Sequence, residues 1–270
     1  MQSVTYKIFN NQNVTAFSTL RFSTSAPIEH DLPAQPYAGW NICPYSGENS
    51  KTIAKNRAEL YQKSGTNPQN LIFPKQTHSS NVIKIDTCFL ALDKEKQTKI
   101  LNGVDGLITQ IPDITLGIFT ADCMAVFLFD PIQKAVGLVH SGWKGTVQRI
   151  TEQAIRQMQM DYGTRPCDIL TAVGPHISAR NYEVGKEVIE AFASAGFDIR
   201  RISQSSDRPG HYLLSLSAAI RQSLVSAGVQ RKNIQISRLC TYQHPERFFS
   251  ARRLGAQSGR TLHCIRLNRH

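Results

Sequence analysis

Met124-Ala125-Val126-Phe127-Leu128-Phe129, followed by a link from Asp130 to Lys134 that contains Pro131, followed by Ala135-Val136-Gly137-Leu138-Val139-His140, is the stretch that decides the architecture. Both runs are too uniformly apolar for strands with one wet face, where apolar and polar residues alternate. The short proline-bearing link is that of a hairpin. The pair therefore reads as a hairpin buried on both faces, and burial on both faces demands a covering layer on each side.

Further strands are expected on either side of it: Val14 to Ser18, Ile72 to Pro74, Val82 to Ile85, Gly106 to Thr109, Leu116 to Thr120, Ile169 to Val173 and Ile234 to Ser237. Four helices are expected at 50–64, 146–162, 182–195 and 215–227, each with apolar residues three or four apart and a glycine just beyond its end (Gly65, Gly163, Gly196, Gly228). In the second, Val147, Ile150, Ala154 and Met158 share one face, which reads as core. Strand-rich stretches with helices gathered in the second half point to an α+β fold. No internal repeat or low-complexity tract interrupts the chain, and its 270 residues are read as one domain, 1–270.

Hydrophobic residues make up 41% of the chain and charged ones 19%, a profile that excludes a disordered protein. No apolar run approaches the roughly 20 residues of a membrane helix, and Met1 to Asn11 lacks a positive segment followed by an apolar one, so a cytoplasmic location is expected. Six cysteines without a CxxC pair read as reduced thiols. The net charge of +11 is concentrated at one end: from His211 to His270 ten Arg or Lys face one acid, Glu246. That concentration suits an anionic ligand. The patterns of nucleic-acid-binding modules are absent, so a small phosphate-bearing partner is favoured over nucleic acid.

Three short segments carry the chemistry: Gln76-Thr77-His78, Asp122-Cys123, and His140-Ser141-Gly142-Trp143-Lys144-Gly145. Each places an imidazole or thiol at a strand end, and neighbouring strands of one sheet are expected to bring His78, Cys123 and His140 together. Two imidazoles and a thiolate form a three-ligand set of the catalytic zinc type, with a fourth position open for water or substrate. Spacing alone leaves this set a hypothesis, because the three residues are far apart in sequence. After His140 the glycines and an expected helix start near Thr146 suggest an anion site to which Lys144 adds charge. Asp122 is a candidate general base or a partner orienting a histidine.

These motifs, with Pro36-Tyr37, Asn41, Asn56-Arg57, Asp105-Gly106, Gly174-Pro175-His176-Ile177, Cys240-Thr241, Phe248-Phe249-Ser250 and Ser258-Gly259-Arg260, resemble the YfiH-like proteins, known as multicopper polyphenol oxidase or laccase-domain proteins, almost end to end. The resemblance implies that His78, Cys123 and His140 are both metal ligands and catalytic residues, and that mixed sheets are flanked by helices in a cysteine-hydrolase-like fold. It implies purine nucleoside phosphorolysis (adenosine, inosine, guanosine, methylthioadenosine) with adenosine deamination, or laccase activity, or action on peptidoglycan precursors. Asn41, Arg57, Gln76, Lys144 and Arg260 become candidate substrate contacts, zinc the expected metal and copper its alternative. The chain departs from the family at Leu20-Arg21-Phe22, Met124 and Ala251, which concerns substrate preference.

A multicopper cluster needs many imidazoles. Eight histidines, no two separated by a single residue, do not supply the pattern, and Met124 beside Cys123 points the opposite way on a strand. The nucleoside reading uses an open metal position and cationic groups for phosphate. A metal-free reading pairs Cys123 as nucleophile with His140 as base.

Overall fold

The computed structural model describes residues 5–22 and 35–269. His30 and His270, two of the eight histidines, and the first four positions of the N-terminal segment lie outside the described residues.

Met124–Asp130 (β7) and Ala135–Ser141 (β8) form the expected antiparallel hairpin, with Met124 opposite Ser141 and Asp130 opposite Ala135. The Asp130 carboxylate accepts the backbone N–H of Ile132 and Gln133, which closes the turn. Every residue of both strands is buried. Along β7, Met124, Val126 and Leu128 enter one core while Ala125, Phe127 and Phe129 enter another. The uniform hydrophobicity of this stretch is the mark of a strand sandwiched between two layers.

In its sheet, Ile234–Ile236 (β13), Leu170–Val173 (β9), β7, β8, Gly106–Thr109 (β5) and Val82–Lys84 (β4) lie in that order. A second sheet orders Thr5–Lys7 (β1), Val14–Thr19 (β2), Thr261–Leu267 (β14), Thr115–Thr120 (β6) and Leu71–Ile72 (β3). A small third one orders Glu183–Gly185 (β10), His211–Leu214 (β12) and Ser203–Ser205 (β11). Both large sheets mix parallel and antiparallel pairs.

The core between the two large sheets joins Phe127 and Leu138 to Leu116, Ile118 and Ile265. Beyond the six-stranded sheet, the second core packs it against Ile150–Tyr162 (α5), Lys186–Ser194 (α6) and Leu216–Ser226 (α8). On the outer side of the five-stranded sheet, Phe17, Phe119 and Leu262 meet Leu60 of Ser50–Ser64 (α1). Shorter helices are Thr87–Leu90 (α2), Lys94–Ile100 (α3), Trp143–Val147 (α4), Ile199–Ile202 (α7) and Ala251–Leu254 (α9). The fold is α+β, with mixed sheets flanked by helices. Among the described residues no helix is long and apolar enough to cross a membrane.

Several expectations need correction. The helix expected at 146–162 is two: α4 begins at Trp143, and Arg149, at φ 61°, breaks it from α5. The span 182–195 opens as strand β10 and turns helical only at Lys186, after Gly185. The strand expected at Ile72 to Pro74 is Leu71–Ile72, since Pro74 has no N–H to give a ladder. Strand β14, absent from the sequence reading, sits at the centre of the five-stranded sheet between β2 and β6. Its Thr-Leu-His-Cys-Ile-Arg-Leu pattern mixes polar and apolar residues on both faces.

Candidate metal and active site

The three candidate residues do converge, but not from neighbouring strands of one sheet. His78 lies on the segment from β3 of the five-stranded sheet to β4 of the six-stranded sheet, and Cys123 on the crossing from β6 to β7. His140 lies in β8, on the face shared by Val136 and Leu138 that looks toward the five-stranded sheet. The site thus sits at the end of the seam between the two sheets. One ligand atom from each residue lies within 4.8 Å of the others. The Cys123 Sγ to His78 Nε2 distance is 4.0 Å, and the two imidazoles meet edge to face with centroids 4.8 Å apart.

Asp105, just before β5, holds both histidines. Its Oδ1 lies 2.7 Å from Nδ1 of His140 and accepts the backbone N–H of His78, while its Oδ2 accepts those of Thr77 and Ser79. Its own carbonyl accepts the His140 N–H. His78 has φ 61°, a left-handed conformation that costs a non-glycine residue about 1–2 kcal/mol. The Asp105 carboxylate, accepting three successive N–H groups around it, holds that turn in place.

Electrostatics follow from this arrangement. Burial pushes the Cys123 thiol up, but hydrogen bonding to His140 and His78 outweighs it and brings the thiol down to about 6. Burial pushes His140 down, yet Asp105 and then Cys123 raise it to about 9. Asp105 is itself raised by burial and lowered more strongly by His140 and its N–H donors, to about 2. Without a metal the pair at neutral pH is a thiolate beside an imidazolium.

The donor set fits a metal ion. Asp105 occupies Nδ1 of His140 and leaves Nε2 as the ligand atom, the carboxylate–histidine arrangement common behind metal ligands. Bonds of roughly 2.0–2.3 Å from one ion reach atoms at this spacing after a small adjustment, and His78, on the exposed side, has room to make it. Gly142 leaves the necessary space: a Cβ there would lie 2.8 Å from Cys123 Sγ and 3.2 Å from His78 Cδ2.

The three residues line a cavity of about 260 Å³ whose other walls include Tyr45, Gln76, Phe119, Ala251 and Arg260. Gln76 is at the wall, but its amide is engaged with the backbone of Phe119 through both ends, at 2.7 and 2.9 Å. The Arg260 guanidinium donates to the carbonyls of Ser258 and Ala256, and the Arg260 backbone N–H donates to Asn41 Oδ1. Asn41 is buried and ties Ser46 and Glu48 into the same loop, so it shapes the wall without lining it.

Arg57 lies in an adjoining hollow that shares Tyr45, donating to the Ile42 carbonyl and stacking over Phe73. Lys144 is exposed over Trp143 and is not among the cavity's lining residues, so the anion site expected at that turn does not coincide with the cavity. Nor does Asp122 orient a histidine: its carboxylate accepts from Thr241 Oγ1 and the Arg252 N–H, binding two loops behind Cys123. Arg21, at a departure from the family pattern, is wholly buried and donates to the carbonyls of Ala38 and Pro245. In the sequence reading Asp105 and Tyr45 have no role of their own, and Gly142 is marked as part of an anion-binding turn rather than as the space beside Cys123. The signal for Asp105 was its place in the Asp105-Gly106 motif.

Residues 29–268 match the family described as multi-copper polyphenol oxidoreductase laccase. A protein named purine nucleoside phosphorylase from Bacteroides thetaiotaomicron is 38% identical over 233 residues, covering 86% of each chain. Another, named adenosine deaminase RL5 and from an unknown prokaryotic organism, is 38% identical over 251 residues, covering 93% of each. The crystal structure of Bacillus licheniformis YfiH has a TM-score of 0.84 to this chain at 27% identity, covering 97% of both. YlmD from Geobacillus stearothermophilus gives the same TM-score at 26% identity, over 96% of this chain and 93% of that one. With a family match that spans most of its length and relatives this similar, the chain belongs to the multi-copper polyphenol oxidoreductase laccase family.

Proposed function

We propose that this protein is a metal-dependent purine nucleoside enzyme that carries out phosphorolysis of adenosine, inosine, guanosine or methylthioadenosine and deaminates adenosine. The observation that carries the reading is the meeting of His78, Cys123 and His140 beside a cavity of about 260 Å³, of the order of a small-ligand site. The names of the relatives supply the chemistry; the site supplies a place for it.

His78 Nε2, Cys123 Sγ and His140 Nε2 would hold the ion, zinc in the first instance, with copper as the alternative. When bound, it supplies Lewis acidity toward water or a departing base. Asp105 keeps the His140 proton on Nδ1 and so keeps Nε2 free to ligate. Tyr45 and Phe119 give apolar walls for a purine ring, and Arg260 brings positive charge toward phosphate. A four-copper oxidase is poorly supported. Among the described residues one convergent group of metal-ligating side chains is found, and the buried His263 has both ring nitrogens on hydroxyls, Ser18 and Thr120.

The test is to assay adenosine and inosine with and without phosphate after measuring bound metal. Ribose 1-phosphate should appear only with phosphate, and ammonia from adenosine without it. Unchanged product from His140→Ala and Cys123→Ala would remove the assignment.

A second reading is favoured by one observation, the Cys123 thiol beside His140, whose Nδ1 is held by Asp105, an arrangement that lowers the thiol and raises the imidazole. It makes Cys123 a nucleophile of a metal-free hydrolase acting on peptidoglycan precursors. Chelation separates the two: the nucleoside enzyme loses activity with its metal, whereas the hydrolase retains it.

A further inference from the structure

Away from this cavity, α8 borders two larger hollows of about 470 and 450 Å³. Both are lined by Ala218 and Arg221, so they adjoin across one turn of the helix. The first is edged by Arg149, Arg201, Arg221 and Arg231 against one acid, Asp198, which already pairs with Arg200 and Arg201. Arg149 is fixed in place, paired with Glu152 and stacked 3.7 Å over Phe197. The second hollow carries Arg221 and Arg238 among the hydroxyls of Ser215, Ser217 and Ser237. Among the described residues the guanidinium groups of Arg221, Arg231 and Arg238 have no hydrogen-bond or ion-pair partner.

Two further features point the same way. The N-terminus of the 11-residue α8, capped by Ser215, opens on the second hollow and favours negative charge there. His176, only 5% exposed, lines the same hollow with Nδ1 on the Gly174 carbonyl and with no partner for Nε2 among the described residues. That nitrogen is the polar group which this otherwise buried ring leaves to the hollow, where it can donate to or accept from a ligand. Cations lining a recess focus their field in a way that arginines on a convex surface do not. Guanidinium groups also match phosphate geometry. Neither hollow is lined by Phe, Tyr or Trp, which removes the stacking platform that single-stranded nucleic acid uses.

We propose that these joined hollows bind a compact phosphate-bearing small molecule, an inorganic oligophosphate or a sugar phosphate, at a site separate from the metal cavity. The proposal does not depend on the nucleoside reading.

The experiment is calorimetric titration of the metal-free full chain with tripolyphosphate and, separately, with ribose 5-phosphate, at low and at raised salt. At least one probe should bind, more weakly as salt rises, and whichever binds names the source of the phosphate. Cys123→Ala should leave that affinity unchanged, while the double variant Arg221→Ala with Arg238→Ala should weaken it at least tenfold. Both arginines are exposed, so the double variant should melt as the parent does; Arg231→Glu, on the other rim, gives an independent second loss. The proposal fails if neither probe binds, if the arginine variants bind as the parent does, or if Cys123→Ala abolishes binding. It also fails if a single-stranded oligonucleotide of equal charge binds more tightly than tripolyphosphate.

Discussion

Asp105 Oδ1 lies 2.7 Å from Nδ1 of His140, with both side chains sealed from solvent, and the same carboxylate caps the turn that presents His78. One acid therefore sets the orientation of one histidine and the backbone of the other.

Asp105→Asn should cut metal affinity by roughly 10–100-fold, the usual effect of losing a partner behind a ligating histidine. An asparagine NH₂ would also face backbone N–H groups, at a cost of about 1–3 kcal/mol. Competition with a chromogenic chelator measures the first effect and thermal melting the second. Full affinity in this variant would show that Asp105 does not position His140.

Metal uptake should release protons in a pH-dependent way. His140, raised to about 9, carries a proton at neutral pH that the ion must displace, whereas Cys123, at about 6, has already lost its own. From these two groups about one proton should leave between pH 6 and 9, about two below pH 6 and none well above 9, so affinity rises with pH to about 9. Calorimetry in buffers of different ionisation enthalpy counts them.

Alkylation offers a direct check on the thiol. In the metal-free protein the iodoacetamide rate at Cys123, followed by peptide mass, should titrate with a midpoint near 6, and bound metal should suppress it. The exposed Cys88 serves as an internal control for reagent access. A midpoint for Cys123 in the ordinary thiol range, about 8.5, would contradict the ion pair.

Gly142→Ala isolates space from backbone strain. Gly142 has φ −80°, which alanine adopts freely, so the damage arises where the new methyl group meets Cys123 Sγ and the His78 ring. Metal affinity should drop at least tenfold while melting of the metal-free protein changes by about 1 kcal/mol or less, as for a substitution without backbone conflict.

His263 should make the protein acid-sensitive. Burial holds it down to about 3, so between pH 6.5 and 3 the unfolded chain binds a proton that the folded chain refuses, and stability falls as pH drops through that window. His263→Ala would remove this contribution but should destabilise by about 2–4 kcal/mol at neutral pH, from the cavity and the two stranded hydroxyls. Denaturant melts of both proteins at several pH values test the sign.

The sequence by itself determined what local pattern and residue chemistry can carry. The doubly buried hairpin and the helices ended by Gly65 and Gly163 follow from apolar periodicity and glycine conformational freedom, whereas His78, Cys123 and His140 stood out by donor type only as a hypothesis and drew most of their weight from the family resemblance. Tertiary structure decided the partnerships. Strand β14 joins β2, some 245 residues away, and no local pattern announces such a pairing. Asp105 and Asp122 are both acids beside strands, yet one holds two histidines and the other two loops. Gln76 and Arg260 reached the cavity wall, while Asn41, Arg57 and Lys144 did not. A side chain's role depends on which donors and acceptors folding brings within about 3 Å of it, and that distance is set by two sheets closing on each other rather than by neighbours in the chain.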